Sequence, residues 1–398
     1  WLIDQRISTA ALWLDGLLSS DLEHPAGHWA DGMTCAGFCY DEFKNSDTPS
    51  LKRIRIVLRG SDNSNPAARL KEIRPAVTLA RAVNFARRLG HAPANELYPM
   101  AMAAEARSLA RRLNLQATVL KPAELKRRRM NGILAVGQGA EHEPCLIRLD
   151  YNGAKRVRPR VVVIGKAVTF DTGGYSLKDK QGLEGLKFDK CGGAAALGIA
   201  RAVAELGLPC NMTVLTPAAE NAIGSRAYRP GDIIRMMNGT TVEIISTDAE
   251  GRLILADALT YAQRHCNPTV MIDLATLTGG VVITLGKAAA GLMANDDDLA
   301  AQLEECGRVT DERLWRLPLW DEYRDLIRGN DSDIRNSSGK RHAHAIVGGM
   351  FLREFIEQNA PWAHIDIAGV ATDEAGVAAT GFGVRLVVEY LRRRFHTR

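Results

Sequence analysis

The chain has 398 residues, 46% of them hydrophobic and 24% charged, with a formal net charge of +5 at pH 7. That length exceeds what one ordinary core needs and predicts two domains, one of them large. The balance is that of a globular protein rather than a fibrous or low-complexity one, and no apolar run approaches the roughly 18 residues of a membrane helix.

Residues 1–75 are irregular in pattern, apart from a strand over Leu51 to Leu58 (LKRIRIVL). The stretch GSDNSNPAA after it reads as a turn-rich linker. Helical apolar spacing runs from Arg74 to Leu89 and is stopped by HAPANELYP, His91 to Pro99. A second helix follows from about Ala101 to Leu113, and a short one ends near Gly132. From there strands and helices alternate. CLIRLDY and RVVVIGKAV read as strands, Gly185 to Leu206 as an Ala-rich helix, CNMTVLTPA and TVEIIST as strands, Gly251 to His265 as a helix, and TVMIDLATLT as a strand. Near-continuous apolar strands alternating with helices imply an α/β fold with a mixed, mostly parallel sheet covered by helices on both faces.

Seven cysteines occur, without the spacing of a zinc motif; Cys191 and Cys210 lie in apolar runs and read as buried thiols of a reducing compartment. The opening residues carry no leader pattern, and a start at Trp1 instead of Met suggests that upstream residues are missing. The basic clusters Lys126–Arg129 and Arg392–Arg394 are short and read as solvated helix ends.

The placement of the acids is more informative. Lys166 closes the strand VVVIGK, Asp171 follows in the turn FDTGG, and Asp248 and Glu250 follow EIIST. Ligands of open α/β sheets bind beyond the carboxyl ends of strands, which is where these acids fall. Asp189 stands in an apolar neighbourhood, in LKFDKCGG. Taken singly, an Asp in a Gly-rich turn is usually a turn residue or a helix cap. Four carboxylates in one crevice repel one another, and Lys166, Lys178 and Arg252 are too few to neutralise them comfortably. Bound divalent ions explain the crowding better, and a donor set rich in oxygen suits Mn, Mg or Zn.

These stretches together resemble the leucyl aminopeptidase (M17) family. STDAEGRL (Ser246 to Leu253) differs from the family signature only at Ser246, where the family has Asn, and IGKAVTFDTGGYSLK (Ile164 to Lys178) has its counterpart there. So do LKFDKCGGAAALG, RPGDIIRMMNG, IDLATLTGG, RLWRLPLW, PWAHIDIAG and ATGFGVRL. The likeness runs from about His91 to the C-terminus. The wording GGYS and the short N-terminal region look most like the peptidase B branch.

The resemblance implies a two-metal aminopeptidase that removes the N-terminal residue of peptides through a metal-bridged water or hydroxide, with bicarbonate-assisted proton transfer. By likeness, Asp171 and Glu250 bridge the two ions, Asp248 serves the more exchangeable one, and Lys166 and Asp189 serve the tighter one. Lys178 polarises the carbonyl and Arg252 holds the bicarbonate. Leu186, Thr276, Leu277 and Gly279 line the pocket for the first residue. The ions are two divalent metals per subunit, Mn or Zn, with Mg as a further candidate. The expected domains are a small N-terminal α/β domain over 1–75, a linker helix and loop over 76–100, and an M17-like catalytic domain over 101–398. A homohexamer in the cytoplasm, acting on peptides and not associated with a membrane, completes the expectation.

Two departures stand out: Ala167 replaces a family Gly, and Lys190 replaces an apolar Met beside Asp189. Lys190 could alter metal affinity, favour acidic substrates or point to solvent. Two other functions fit the sequence less well. A DNA-binding hexamer is compatible with the basic balance, but no aromatic-basic motif supports nucleic acid as a partner. A nucleotide-binding enzyme is disfavoured. VGQGAE lacks the third glycine, and LGKAAA lacks the Ser or Thr after Lys.

Overall fold

The structure, a computed structural model, describes residues 9–13, 25–45, 53–57, 66–154, 160–357 and 359–395. The chain divides into two compact units, Trp1–Phe85 and Ala86–Arg398.

In the first unit β1 (Thr9–Trp13) and β2 (Arg53–Val57) pair in parallel, with α1 (Pro25–Ala36) between them in the chain. The strand expected near Leu51 is β2; β1 and α1 were not foreseen. α1 carries no charged residue in its first or last turn and includes Gly27 and Gly32, which weakens its helical signal. The expected linker lies outside the described residues as far as Asn65. Helix α2 (Pro66–His91) begins well before Arg74. Its first residue is a proline, whose missing N–H is no loss at a helix start. Pro75 sits inside the helix, and a proline there looks in the sequence like a beginning.

The second unit takes in the end of α2 from Ala86 and continues with α3 (Pro99–Leu113), β3 (Gln116–Leu120), α4 (Pro122–Arg127), α5 (Asn131–Gly137) and β4 (Cys145–Asn152). There follow β5 (Arg160–Gly165), β6 (Ala167–Asp171), α6 (Lys180–Leu183), a 3-10 turn (Leu186–Phe188), α7 (Cys191–Leu206) and β7 (Asn211–Asn221). Next come β8 (Ile233–Arg235), β9 (Thr241–Glu243), α8 (Glu250–Cys266), β10 (Pro268–Ala275), α9 (Gly279–Leu285) and β11 (Ala290–Ala294). The chain ends with α10 (Asp297–Thr310), β12 (Leu314–Arg316), β13 (Ile334–Arg335), α11 (His344–Arg353), β14 (Trp362–Asp366) and α12 (Val384–Phe395).

One mixed sheet runs β12-β11-β14-β10-β5-β7-β4-β3, with β6 also paired to β7. Its centre is parallel: β5 lies between β7 and β10, and β10 pairs with β14. Antiparallel pairs bring in β4, β3 and β11. Both faces are covered. Val162 and Ile164 of β5 join a core cluster with Leu253 and Ala256 of α8. Val161 and Val163, pointing the other way, are buried outside that cluster, where α7 lies against β5.

Three differences from the expected elements bear on the site. RVVVIGKAV is two strands, broken at Lys166. The expected helix from Gly185 is a 3-10 turn, then Asp189 and Lys190, then α7. TVEIIST is a strand only over Thr241–Glu243, and it belongs to a separate small sheet, β13-β9-β8. Asp248 and Glu250 therefore reach the crevice from a loop and a helix start, not from a strand of the main sheet. A short apolar run does not reveal which sheet it joins.

Candidate metal centre

The break at Lys166 is fixed by its own backbone. Lys166 N donates to Leu274 O at 3.0 Å on one side, and Lys166 O accepts from Gly193 N at 2.6 Å on the other. Helix α7 can approach this closely because Gly192 has no side chain; a Cβ there would lie 2.2 Å from Leu274 O. The Lys166 ammonium, thus directed inward, donates to Asp189 Oδ1 at 2.8 Å and to Thr276 O at 2.7 Å, and lies 2.9 Å from Glu250 Oε1.

Asp171 ends β6. Its Oδ1 accepts from Gly173 N at 2.9 Å and from Asn221 Nδ2 at 2.7 Å, and its Oδ2 lies 2.9 Å from Lys178 Nζ. Lys178 also pairs with Asp248 Oδ1. Carboxylate oxygens of Asp171, Asp248 and Glu250 all lie within 4.8 Å of one another. The two loops that carry them are joined by Thr247, whose hydroxyl donates to Gly173 O at 2.5 Å and accepts from Ser176 N at 2.7 Å. Tyr228 OH and Asn221 Nδ2 both donate to Thr247 O, at 2.7 and 3.0 Å. Asn336 accepts from Ile245 N and Ser246 N and donates to Ser246 O.

Four carboxylates therefore face two ammonium groups, with Asp171, Asp189 and Glu250 buried and Asp248 exposed. Burial alone would lower Lys166, but Asp189, Glu250 and Asp171 outweigh it and hold the ammonium charged above its ordinary range. Lys178 is raised in the same way by Asp171, Glu250 and Asp248 against burial. The acids remain short of positive charge. Burial pushes Asp189 up to about 7 despite Lys166. Burial also raises Glu250 and Asp248, with Asp171 adding to both. Asp189 Oδ2 and Glu250 Oε2 are buried with no hydrogen-bond partner among the described residues. Two unpartnered carboxylate oxygens among acids reluctant to ionise are what divalent cations would satisfy, so the residues present fit a metal centre.

Arg252, in the first turn of α8, is 2% exposed. Its Nη1 donates to Asn336 O at 2.6 Å, its Nε has no partner among the described residues, and burial lowers it to about 10. Among the described residues Glu250 pairs with Lys166 and not with Arg252. Thr276, expected as a pocket residue, also works on the cluster: its hydroxyl donates to Asp189 Oδ1 at 2.8 Å, and its carbonyl receives Lys166. Leu277 N donates to Asp366 Oδ1 at 3.1 Å. Leu186 shares its turn with Asp189, whose N donates to Leu186 O at 3.2 Å. Gly279 is exposed at the start of α9, with no heavy atom within 4 Å of where its Cβ would stand.

Of the departures, Ala167 opens β6 in extended backbone, where a Cβ carries no strain. Lys190 is fully buried, and burial lowers its ammonium to about 8. The solvent-facing reading of Lys190 is thereby corrected. Asn221, Thr247 and Asn336 were not foreseen as parts of the site. Thr247 lies inside the STDAEGRL motif, which was the one available pointer; Asn221 and Asn336 carried no signal in spacing or composition.

The profile of the cytosol aminopeptidase family catalytic domain (Peptidase_M17) matches residues 84–388. A probable cytosol aminopeptidase of Geobacter sulfurreducens is 44% identical over 371 residues, 91% of this chain and 74% of that one. One from Geotalea uraniireducens is 44% identical over 368 residues, with the same coverage of 91% and 74%. Among solved structures, the bottromycin maturation enzyme BotP in complex with Mn superposes with a TM-score of 0.88 at 33% identity, covering 97% of this chain and 84% of that one.

Proposed function

The chain belongs to the cytosol aminopeptidase family, whose members are metal-dependent hydrolases acting at the amino end of peptides, and from that premise we propose that its reaction centre is the cluster around Lys166 and Lys178. We assign Lys166, Asp171, Asp189, Asp248 and Glu250 to hold two divalent ions. The observation that carries this reading is the pair of buried, unpartnered oxygens on Asp189 and Glu250 within a crowd of carboxylates. Mn is the favoured metal, since the neighbouring BotP structure is a Mn complex; Zn and Mg remain candidates on donor chemistry.

Ions held by these residues would supply Lewis acidity, lowering the pKa of a water and polarising a carbonyl. The remaining work falls to side chains. Lys166 would have to release its ammonium proton to solvent to serve as a neutral amine ligand, so metal binding there would be favoured by higher pH. Lys178, half-buried with its ammonium held charged, is placed to stabilise negative charge developing on a substrate oxygen. Arg252, whose Nε has no protein partner, is assigned a bicarbonate ion, which supplies a proton acceptor. Leu186, Thr276, Leu277 and Gly279 are assigned to the side chain of the peptide's first residue, beside the Asp189 end of the cluster.

A homohexamer is proposed by family likeness, with sedimentation as its test. A cytoplasmic location is proposed from the relatives' name and from seven free cysteines; among the described residues no helix is long and apolar enough to cross a membrane.

The central experiment is hydrolysis of aminoacyl anilides after chelation and after readdition of Mn, Zn or Mg. Activity should vanish with chelator, return with metal, and be absent on N-acetylated anilides. Hydrolysis indifferent to the chelator would remove the metal mechanism. Hydrolysis of acetylated substrates would remove the exopeptidase reading.

A further inference from the structure

One buried charge has no task in the reaction just described. Lys190 is fully buried, and its ammonium donates to Ala92 O at 2.8 Å and to Lys187 O. Both acceptors are backbone atoms outside regular helix and strand. Ala92 directly follows α2, and Lys187 lies in the 3-10 turn that carries Leu186 and leads into Asp189. A buried ammonium gives up its hydration, and hydrogen bonds to fixed acceptors must offset that loss. An apolar chain of equal length would fill the space without joining the two segments.

Other contacts fasten the same region. His91 stands edge-on to Phe188, ring centroids 5.6 Å apart, and its Nε2 accepts from Ala379 N at 3.1 Å. Lys287 donates to the carbonyls of Asp373 and Glu374. The turn, the His91–Ala92 segment and the 373–379 loop thus hold one another, and Lys190 is the fastener that grips the turn's own backbone.

From these contacts we propose that Lys190 is a positioning residue for specificity, setting where the Leu186 side chain stands and so which first residues the enzyme accepts. The inference rests on the reading that Leu186 lines the first-residue pocket. Lys190 acts through the turn and not on the substrate. Leu186 is half-buried and so keeps a free face. Asp189 is held separately, by Lys166 and Thr276. Releasing the turn should therefore move Leu186 more than it moves the metal ligand.

The test uses the full chain with Mn and alanyl, leucyl and phenylalanyl anilides. Lys190→Met should change the leucyl-to-alanyl ratio of kcat/KM by about tenfold, the scale of a misfitted apolar pocket. The change should enter through KM, with alanyl kcat and Mn content within about twofold of the starting protein. Leu186→Ala should shift the ratio as well, and adding Lys190→Met to it should change nothing more, because both act at one place. Lys190→Gln, which keeps a donor, should recover part of the ratio. An unchanged ratio in Lys190→Met, whatever its melting temperature, would overturn the proposal, as would an effect additive with that of Leu186→Ala. If Lys190→Met does not fold, Lys190→Gln alone and combined with Leu186→Ala carries the same comparison. Failure of the aminopeptidase reading would look different: the unaltered protein would cleave none of the anilides.

Discussion

Gly251 shows how little room the cluster leaves. A Cβ there would lie 2.5 Å from Lys166 Cε and 2.8 Å from its Nζ. The lysine stem is flexible but 2% exposed, so it has nowhere to retreat. Gly251→Ala should turn the Lys166 amine away from Asp189 and Glu250. Helix α8 itself should tolerate the change, since alanine is the better helix former. The expected outcome is a fall in kcat/KM of about a hundredfold and weaker Mn binding, with circular dichroism unchanged; normal Mn affinity would show that the Lys166 amine is no ligand. Lys178→Ala separates catalysis from binding. It removes a cation from Asp171 and Asp248 without removing a proposed ligand. Turnover should drop by roughly 10²–10³, as when one oxyanion donor is lost, and bound Mn should stay near its original content. Loss of metal instead would make Lys178 a ligand.

At the scale of elements, what counts is how short loops are held. The loop 244–249 belongs to no strand of the main sheet, and Asn336 anchors it through two N–H donors and one carbonyl. Asn336 also supplies the carbonyl that Arg252 grips. Asn336→Ala keeps the backbone carbonyl under Arg252 but removes the side-chain amide, and should leave the Ile245 and Ser246 groups poorly satisfied and destabilise the protein by about 3 kcal/mol. It should also lower kcat more than it raises KM, since Asp248, Glu250 and Arg252 all depend on this loop. A pure stability loss with unchanged kinetics would confine Asn336 to scaffolding. The sequence foretold this region unevenly. The acids, both lysines and Arg252 sit in a dense motif, and their chemistry is legible because like charges in apolar surroundings demand an explanation. The residues that aim them act by side-chain bonds to distant backbone, and Asn or Thr in a turn looks the same whether it aims a ligand or merely closes the turn. The parallel core was readable from β5, β7 and β10, each a long apolar run. The side sheet was not, because β8 and β9 are each three residues long and the third strand, β13, comes some ninety residues later in the chain.

At the scale of the whole molecule, buried acids make stability depend on pH in an uncommon direction. Asp257 is fully buried, accepting from Ile133 N and Met237 N, and burial pushes it up to about 7. Glu312, 6% exposed and accepting from Leu386 N, is also pushed up to about 7 by burial. Asp189 in the metal-free centre behaves alike. For each, the folded pKa lies above the unfolded value of about 4. Between those limits the folded state binds more protons than the unfolded one, so stability is greatest at the acid end and declines as pH rises toward 7. Metal should change only part of that slope. Cations bound at the centre would keep Asp189 ionised and paired, while Asp257 and Glu312 would not feel them. Urea unfolding from pH 5 to 7.5 should therefore show stability falling with pH in chelator. In excess Mn the fall should be shallower, and the protein more stable at every pH by an amount that grows with the logarithm of free metal. Asp257→Asn should flatten both curves by the same increment. Identical slopes with and without Mn would mean that neither the Asp189 carboxyl nor the Lys166 ammonium gives up a proton to metal, and would take both out of the ligand set.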